Sequence, residues 1–153
     1  CNTSRMRFRW GILTCSVLVL MGLVTSANEK PPKEYVDAMK SLAIVARGLP
    51  RALDARDHER MNDHILLARP AIDVVQKYWR DRGVDDTDKA NAAIRAAAKA
   101  ISEISVSVYL MSLSPNPLAV EGAEIALRNF QTACTTCHAT HRLELPNGTY
   151  RIK

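Results

Sequence analysis

The chain has 153 residues, of which 47% are hydrophobic and only 5% aromatic, with 21 basic side chains against 16 acidic ones. That length suits one domain better than two. With Arg5, Arg7 and Arg9 set aside, 18 basic side chains stand against 16 acidic ones; this near balance, without a basic stripe of interleaved aromatics, argues against a nucleic-acid partner.

Residues 1–27 read as a signal peptide. Arg5 to Trp10 is a positive stretch without acids, Gly11 to Val24 is an apolar run of 14 residues, and Thr25-Ser26-Ala27 puts small residues at the cleavage positions. The run is short for a membrane span, which needs about 20 apolar residues. The expectation is export to the periplasm, with an uncleaved anchor as the alternative. Residues 28–153 then form a single domain, opened by a linker at 28–32.

The spacing predicts four helices and no strand. The first spans Pro32 to Leu49, with Val36, Met39, Leu42, Ala43 and Ala46 at helical spacing and Gly48 and Pro50 as stop signals. The second spans Asp54 to Arg82, with Met61, Ile65, Ala68, Ile72, Val75 and Trp79 on one face. Pro70 should kink or divide it, and Gly83 should stop it. The third spans Asp86 to Leu113, with Thr87 as a candidate cap and an alanine-rich stripe from Ala90 to Val108. The fourth spans Leu118 to Leu145 and ends before Pro146-Asn147-Gly148, leaving 146–153 as a polar tail. Amphipathic helices with short connections point to an all-α, antiparallel four-helix bundle, a fold that builds cofactor sites from inward-facing side chains. The scarcity of aromatics leaves core volume for such a group.

Cys134-Thr135-Thr136-Cys137-His138 is a C-x-x-C-H sequence near the end of the last helix, the signature of haem c attachment. Two thiols three residues apart leave the helix within about one turn. They can reach the two vinyl groups on one haem edge as thioethers, and His138 follows directly as an axial ligand to iron. Other chemistries use similar spacings. A redox dithiol would want a βαβ setting. A zinc site from Cys134, Cys137 and His141 needs a fourth ligand, which His58 or His64 would have to supply. A disulfide within one helical turn is geometrically awkward.

With this motif at the end of a four-helix pattern, residues 31–145 resemble the cytochrome c′ family and its low-spin cytochrome c-556 relatives. The likeness rests on Cys134 to His138, on Arg142, and on Met39-Lys40-Ser41-Leu42. The resemblance implies one covalent haem c with its iron, Arg142 near the haem, and Met39 as candidate distal ligand. It also implies a possible homodimer through the first two helices. The chain departs from the family at His141, where an aromatic is common, and at Tyr35, where an arginine is usual.

The second axial position separates two functions. His138 with Met39 gives a six-coordinate iron suited to electron transfer with exported redox partner proteins. His138 alone leaves an open face for a diatomic gas such as nitric oxide or carbon monoxide. An enzyme would want distal acid–base residues, and no distal His–Arg arrangement is evident, so the reading is a non-enzyme. His141 is expected partly exposed, Tyr78 and Trp79 as bundle-end packing, and Arg142, Arg128, Lys33 and Lys40 as candidates to neutralise haem propionates.

Overall fold

The structure, a computed structural model, describes residues 30–82 and 87–153. The expected export segment 1–27, the Gly83 stop and the Asp86 start lie outside these residues, and so does the side chain of Thr87. Within them the chain forms α1 (Lys33–Asp54), α2 (His58–Arg82), α3 (Thr87–Leu113), α4 (Pro117–His141), β1 (Arg142–Glu144) and β2 (Tyr150–Ile152).

The α1 helix passes through both stop signals and ends a turn beyond Leu49. Its buried stripe continues as Leu42, Val45, Leu49, Ala52 and Leu53, and burial of that continuation outweighs the bond Pro50 cannot donate. The end is a Schellman turn. Asp57 N–H donates to the Ala52 carbonyl at 2.9 Å and Arg56 N–H to that of Leu53 at 3.0 Å. Arg56 occupies the left-handed position, φ 55°, where glycine is usual. Asp57 then caps α2, its Oδ1 accepting from Arg60 N–H at 3.0 Å. This cap, rather than Asp54, sets the start of α2. Pro70 is exposed and lies inside an unbroken helix. Asn116 caps α4 by accepting from Ala119 N–H at 3.2 Å, with Pro117 in the first turn.

Consecutive helices pack on one another, and the α3–α4 and α1–α2 pairs are the most extensive. Ala93, Ala97 and Ala100 of α3 and Ala119, Ala123, Ala126 and Ala133 of α4 are buried, so small side chains let these two helices approach closely. Contact between α1 and α4 is thin by comparison. At one end of the bundle the start of α1 meets the ends of α2 and α4 through Tyr35, Trp79 and His141. At the other, Leu49 and Leu53 close on Met61 and Leu127. Trp79, Phe130, Met61 and Val45 are fully buried in the single core.

The expected polar tail is a β-hairpin instead. The last helix ends at His141 rather than Leu145, and β1 pairs antiparallel with β2, with Arg142 opposite Ile152 and Glu144 opposite Tyr150. Leu145-Pro146-Asn147-Gly148 forms the turn, with Gly148 N–H donating to the Leu145 carbonyl at 2.9 Å and Gly148 at φ 76°. Pro-Asn-Gly is a strong turn sequence of this kind. Ile152 is 2% exposed, and its burial holds the hairpin on the bundle end.

Candidate functional site

Cys134, Cys137 and His138 lie on the last two turns of α4. Cys137 is buried, Cys134 half-buried, and both are free thiols. His138 is half-buried. Helical spacing turns Cys134, Cys137, His138 and His141 to one side of α4.

A cavity of about 200 Å³ opens where α1 and α4 are in thin contact. Met39, Lys40 and Ala43 of α1 form one wall, and Cys137, His138 and His141 form the other. Arg142, Tyr150 and Ile152 of the hairpin close its end. Deeper in the bundle a second, narrower gap is shared by Met39, Cys134, Cys137 and His138, with Ala93, Ala97 and Ala133 beside them. Met39, the two thiols and the imidazole therefore converge from two helices on one apolar space.

The electrostatics favour neutral groups there. Burial, then the neighbouring Cys137, pushes the Cys134 thiol up to about 11, and burial raises Cys137 as well. Thiols held this way are poor nucleophiles at neutral pH, which disfavours a redox dithiol. Burial and then the Arg142 charge push the His138 imidazole below its ordinary 6.5, while Glu144 acts in the opposite sense. A neutral imidazole is the form that binds a metal.

Arg142 borders the cavity and is fixed by the hairpin. Its guanidinium lies 4.8 Å from the Tyr150 ring centroid, and Nη2 is 2.9 Å from Glu144. Lys40 lines the same cavity and lies 3.5 Å from Asp37, which also pairs with Lys33 at 2.6 Å. Arg128 is exposed elsewhere on α4.

His141 corrects the expectation of partial exposure: it is 3% exposed. Its ring stacks on Trp79 at 4.5 Å, tilted by 51°. Trp79 Nε1–H donates to the Tyr35 hydroxyl at 3.4 Å, and Arg82 donates to the Tyr78 hydroxyl at 2.6 Å. The polar ends of Tyr78 and Trp79 thus have the partners their bundle-end position called for. Tyr150 and Ile152 are cavity residues that sequence reasoning left in a tail; the Pro-Asn-Gly turn followed by an apolar pair was the available signal.

His64 is not brought to the site. A Cβ built at Gly48 would lie 2.1 Å from its Nε2, so the imidazole rests on the α1 backbone nine residues beyond Met39, about 13 Å along the helix. His58 opens α2, at the end of the bundle away from Cys137. Among the described residues no group of three or more His, Cys, Asp or Glu side chains is placed to hold a metal ion. The zinc alternative therefore lacks its ligands there.

Two thiols, an imidazole and a thioether thus border one apolar gap of about 30 Å³ walled by alanines, and all of them but Cys134 also border the cavity of about 200 Å³. The cationic side chains Lys40 and Arg142 border that cavity. No protein-family model matches this chain, and no curated protein or solved structure matches it either.

Proposed function

We propose that this chain is an exported mono-haem c-type cytochrome that carries electrons between exported redox partners. Cys134 and Cys137 would hold the haem as thioethers, His138 would be the axial ligand, and Met39 the ligand opposite. The observation that carries the reading is the sharing of one apolar space by Cys134, Cys137, His138 and Met39, contributed by α4 and α1. Bound there, haem supplies a one-electron iron couple, and a methionine opposite histidine raises its potential. The chain's own part is to keep the imidazole neutral, exclude water with Leu42, Ile72 and Ile94, and place the charges of Lys40 and Arg142 at the margin. The signal-like segment 1–27 supports export to the periplasm, where haem attachment takes place.

The test is expression of the full chain with a periplasmic haem-attachment system. The expected product keeps its haem through acid denaturation and loses that property in Cys134→Ala/Cys137→Ala. Haem that is released by acid from the unaltered chain would overturn the covalent reading. A sharp low-spin reduced spectrum, unchanged by carbon monoxide and converted to a carbon-monoxide-sensitive one by Met39→Ala, is expected for the carrier. Carbon monoxide binding by the unaltered chain would replace it with an open-iron, gas-binding protein.

A further inference from the structure

The hairpin end of the α1–α4 cavity has a chemistry of its own. Opposed residues of paired strands share a face, so Arg142 and Glu144 of β1 stand beside Ile152 and Tyr150 of β2. Arg142, Tyr150 and Ile152 of this face border the cavity. Two donors here have no acceptor: the Nε–H of Arg142 and the hydroxyl of Tyr150 are both buried, and neither makes a hydrogen bond. They sit on touching side chains, with the guanidinium 4.8 Å from the Tyr150 ring centroid. Glu144 engages that guanidinium through Nη2, at 2.9 Å, and leaves Nε unused. Buried donors are almost always paired, so two orphans on one cavity wall point to an acceptor that enters the cavity.

Charge and shape define that acceptor. Lys40 and Arg142 border the cavity, and no acidic side chain among the described residues does, so the site favours an anion over a neutral molecule. Burial raises the Tyr150 phenol above its ordinary 10.0, with Arg142 acting against it; the hydroxyl is therefore a donor at neutral pH. One N–H and one O–H match the two oxygens of a carboxylate, and such charge-assisted bonds are the stronger kind. Away from the hairpin the walls are Val36, Met39 and Ala43 of α1, with Tyr35 beside them, a surface suited to an aromatic ring. Size sets the limit: a dry cavity of about 150 Å³ takes benzene. The cavity here, about 200 Å³, has room for one ring and a short acidic arm.

We propose that this cavity binds a free, single-ring carboxylate, with the ring against Met39 and Ala43 and the carboxylate accepting from Arg142 Nε–H and the Tyr150 hydroxyl. Lys40 adds a second positive charge at the rim. The site does not rest on the haem reading. It is tested on the chain without haem, so either conclusion can fail while the other stands.

Isothermal titration calorimetry of the full chain, made without haem-attachment machinery, tests it with phenylpropionate at neutral pH. Saturable binding is expected, with the uncharged analogue phenylpropanol about tenfold weaker or more, as the loss of hydrogen bonds to a charged group implies. Tyr150→Phe keeps the ring and its contact with Arg142 and removes only the hydroxyl. It should weaken phenylpropionate by about tenfold and narrow the gap to the alcohol. Ala43→Leu, which takes up cavity volume, should abolish binding of both. Arg95→Gln, which removes an exposed charge from α3, should change neither. The proposal is overturned if phenylpropionate does not bind, if acid and alcohol bind equally, or if Tyr150→Phe or Ala43→Leu binds the acid as the parent does. A loss in Arg95→Gln as large as that in Tyr150→Phe also overturns it, since general charge attraction would then account for the binding.

Discussion

Tyr35, Trp79 and His141 come from three different helices, and their mutual contacts fix the end of the bundle next to the cavity. Trp79 is fully buried, so Trp79→Ala removes a large core side chain, the hydrogen bond to Tyr35 and the stack on His141. A loss of about 3–5 kcal/mol is expected from urea unfolding. Burial holds the Tyr35 phenol well above its ordinary 10.0, with the Trp79 hydrogen bond acting against it. An unfolded chain releases that proton near pH 10 while the folded chain keeps it. The stability linked to Tyr35 is therefore complete below pH 10 and is lost as pH rises beyond it. Tyr35→Phe should cost about 1 kcal/mol at neutral pH for the lost hydrogen bond and should flatten the alkaline fall in urea midpoint; an equally steep fall in the variant would refute the assignment. At this scale the sequence was most readable in spacing, and the structure sets Cys134, Cys137 and His138 on the last two turns of α4. The sequence was silent on His141, because that burial is set by Trp79, 62 positions earlier.

The helices repeat this contrast between local and distant causes. Hydrophobic period located all four of them, since the period reports a buried face directly. Their ends were misread where a residue served a neighbour rather than its own helix. Gly48 looked like a stop, yet it lets α1 pass under the His64 ring. Gly48→Ala is expected to destabilise by about 1–3 kcal/mol through overpacking, and His64→Ala should recover most of that loss in the double variant. Additive losses would mean that the two residues do not share one contact. The true end of α1 puts Arg56 in a left-handed conformation, so Arg56→Gly should raise stability by about 0.5–1 kcal/mol in the same urea measurement. The hairpin escaped notice because three-residue strands have too few residues to show a period. Its anchor is Ile152, and Ile152→Ala should cost about 2–4 kcal/mol and loosen the wall of the cavity that Tyr150 and Arg142 form.

At the scale of the whole molecule, the bundle is tight between α3 and α4, where alanines interlock, and open between α1 and α4, where the cavity lies. The alanine-rich stripe of α3 was visible in the sequence, but which seam stays open depends on how four faces are shared out, and no single helix encodes that. The open seam gives a way to separate folding from the proposed haem attachment. Ala43 is half-buried, one turn along α1 from Met39, and it faces a cavity of about 200 Å³. Ala43→Leu fills part of that space with three more carbons, worth up to about 2 kcal/mol at 0.8 kcal/mol per buried methylene. Made without haem-attachment machinery, the variant should therefore unfold at higher urea than the parent, by about 1 kcal/mol once lost rotamer freedom is counted. Made with that machinery, it should carry less covalent haem per chain, because the leucine takes room that a macrocycle between His138 and Met39 requires. A general folding defect would lower both quantities together. Higher stability with unchanged haem content would mean that the seam between α1 and α4 is not where a cofactor sits, and Met39 would lose its standing as a ligand even if the thioethers to Cys134 and Cys137 form.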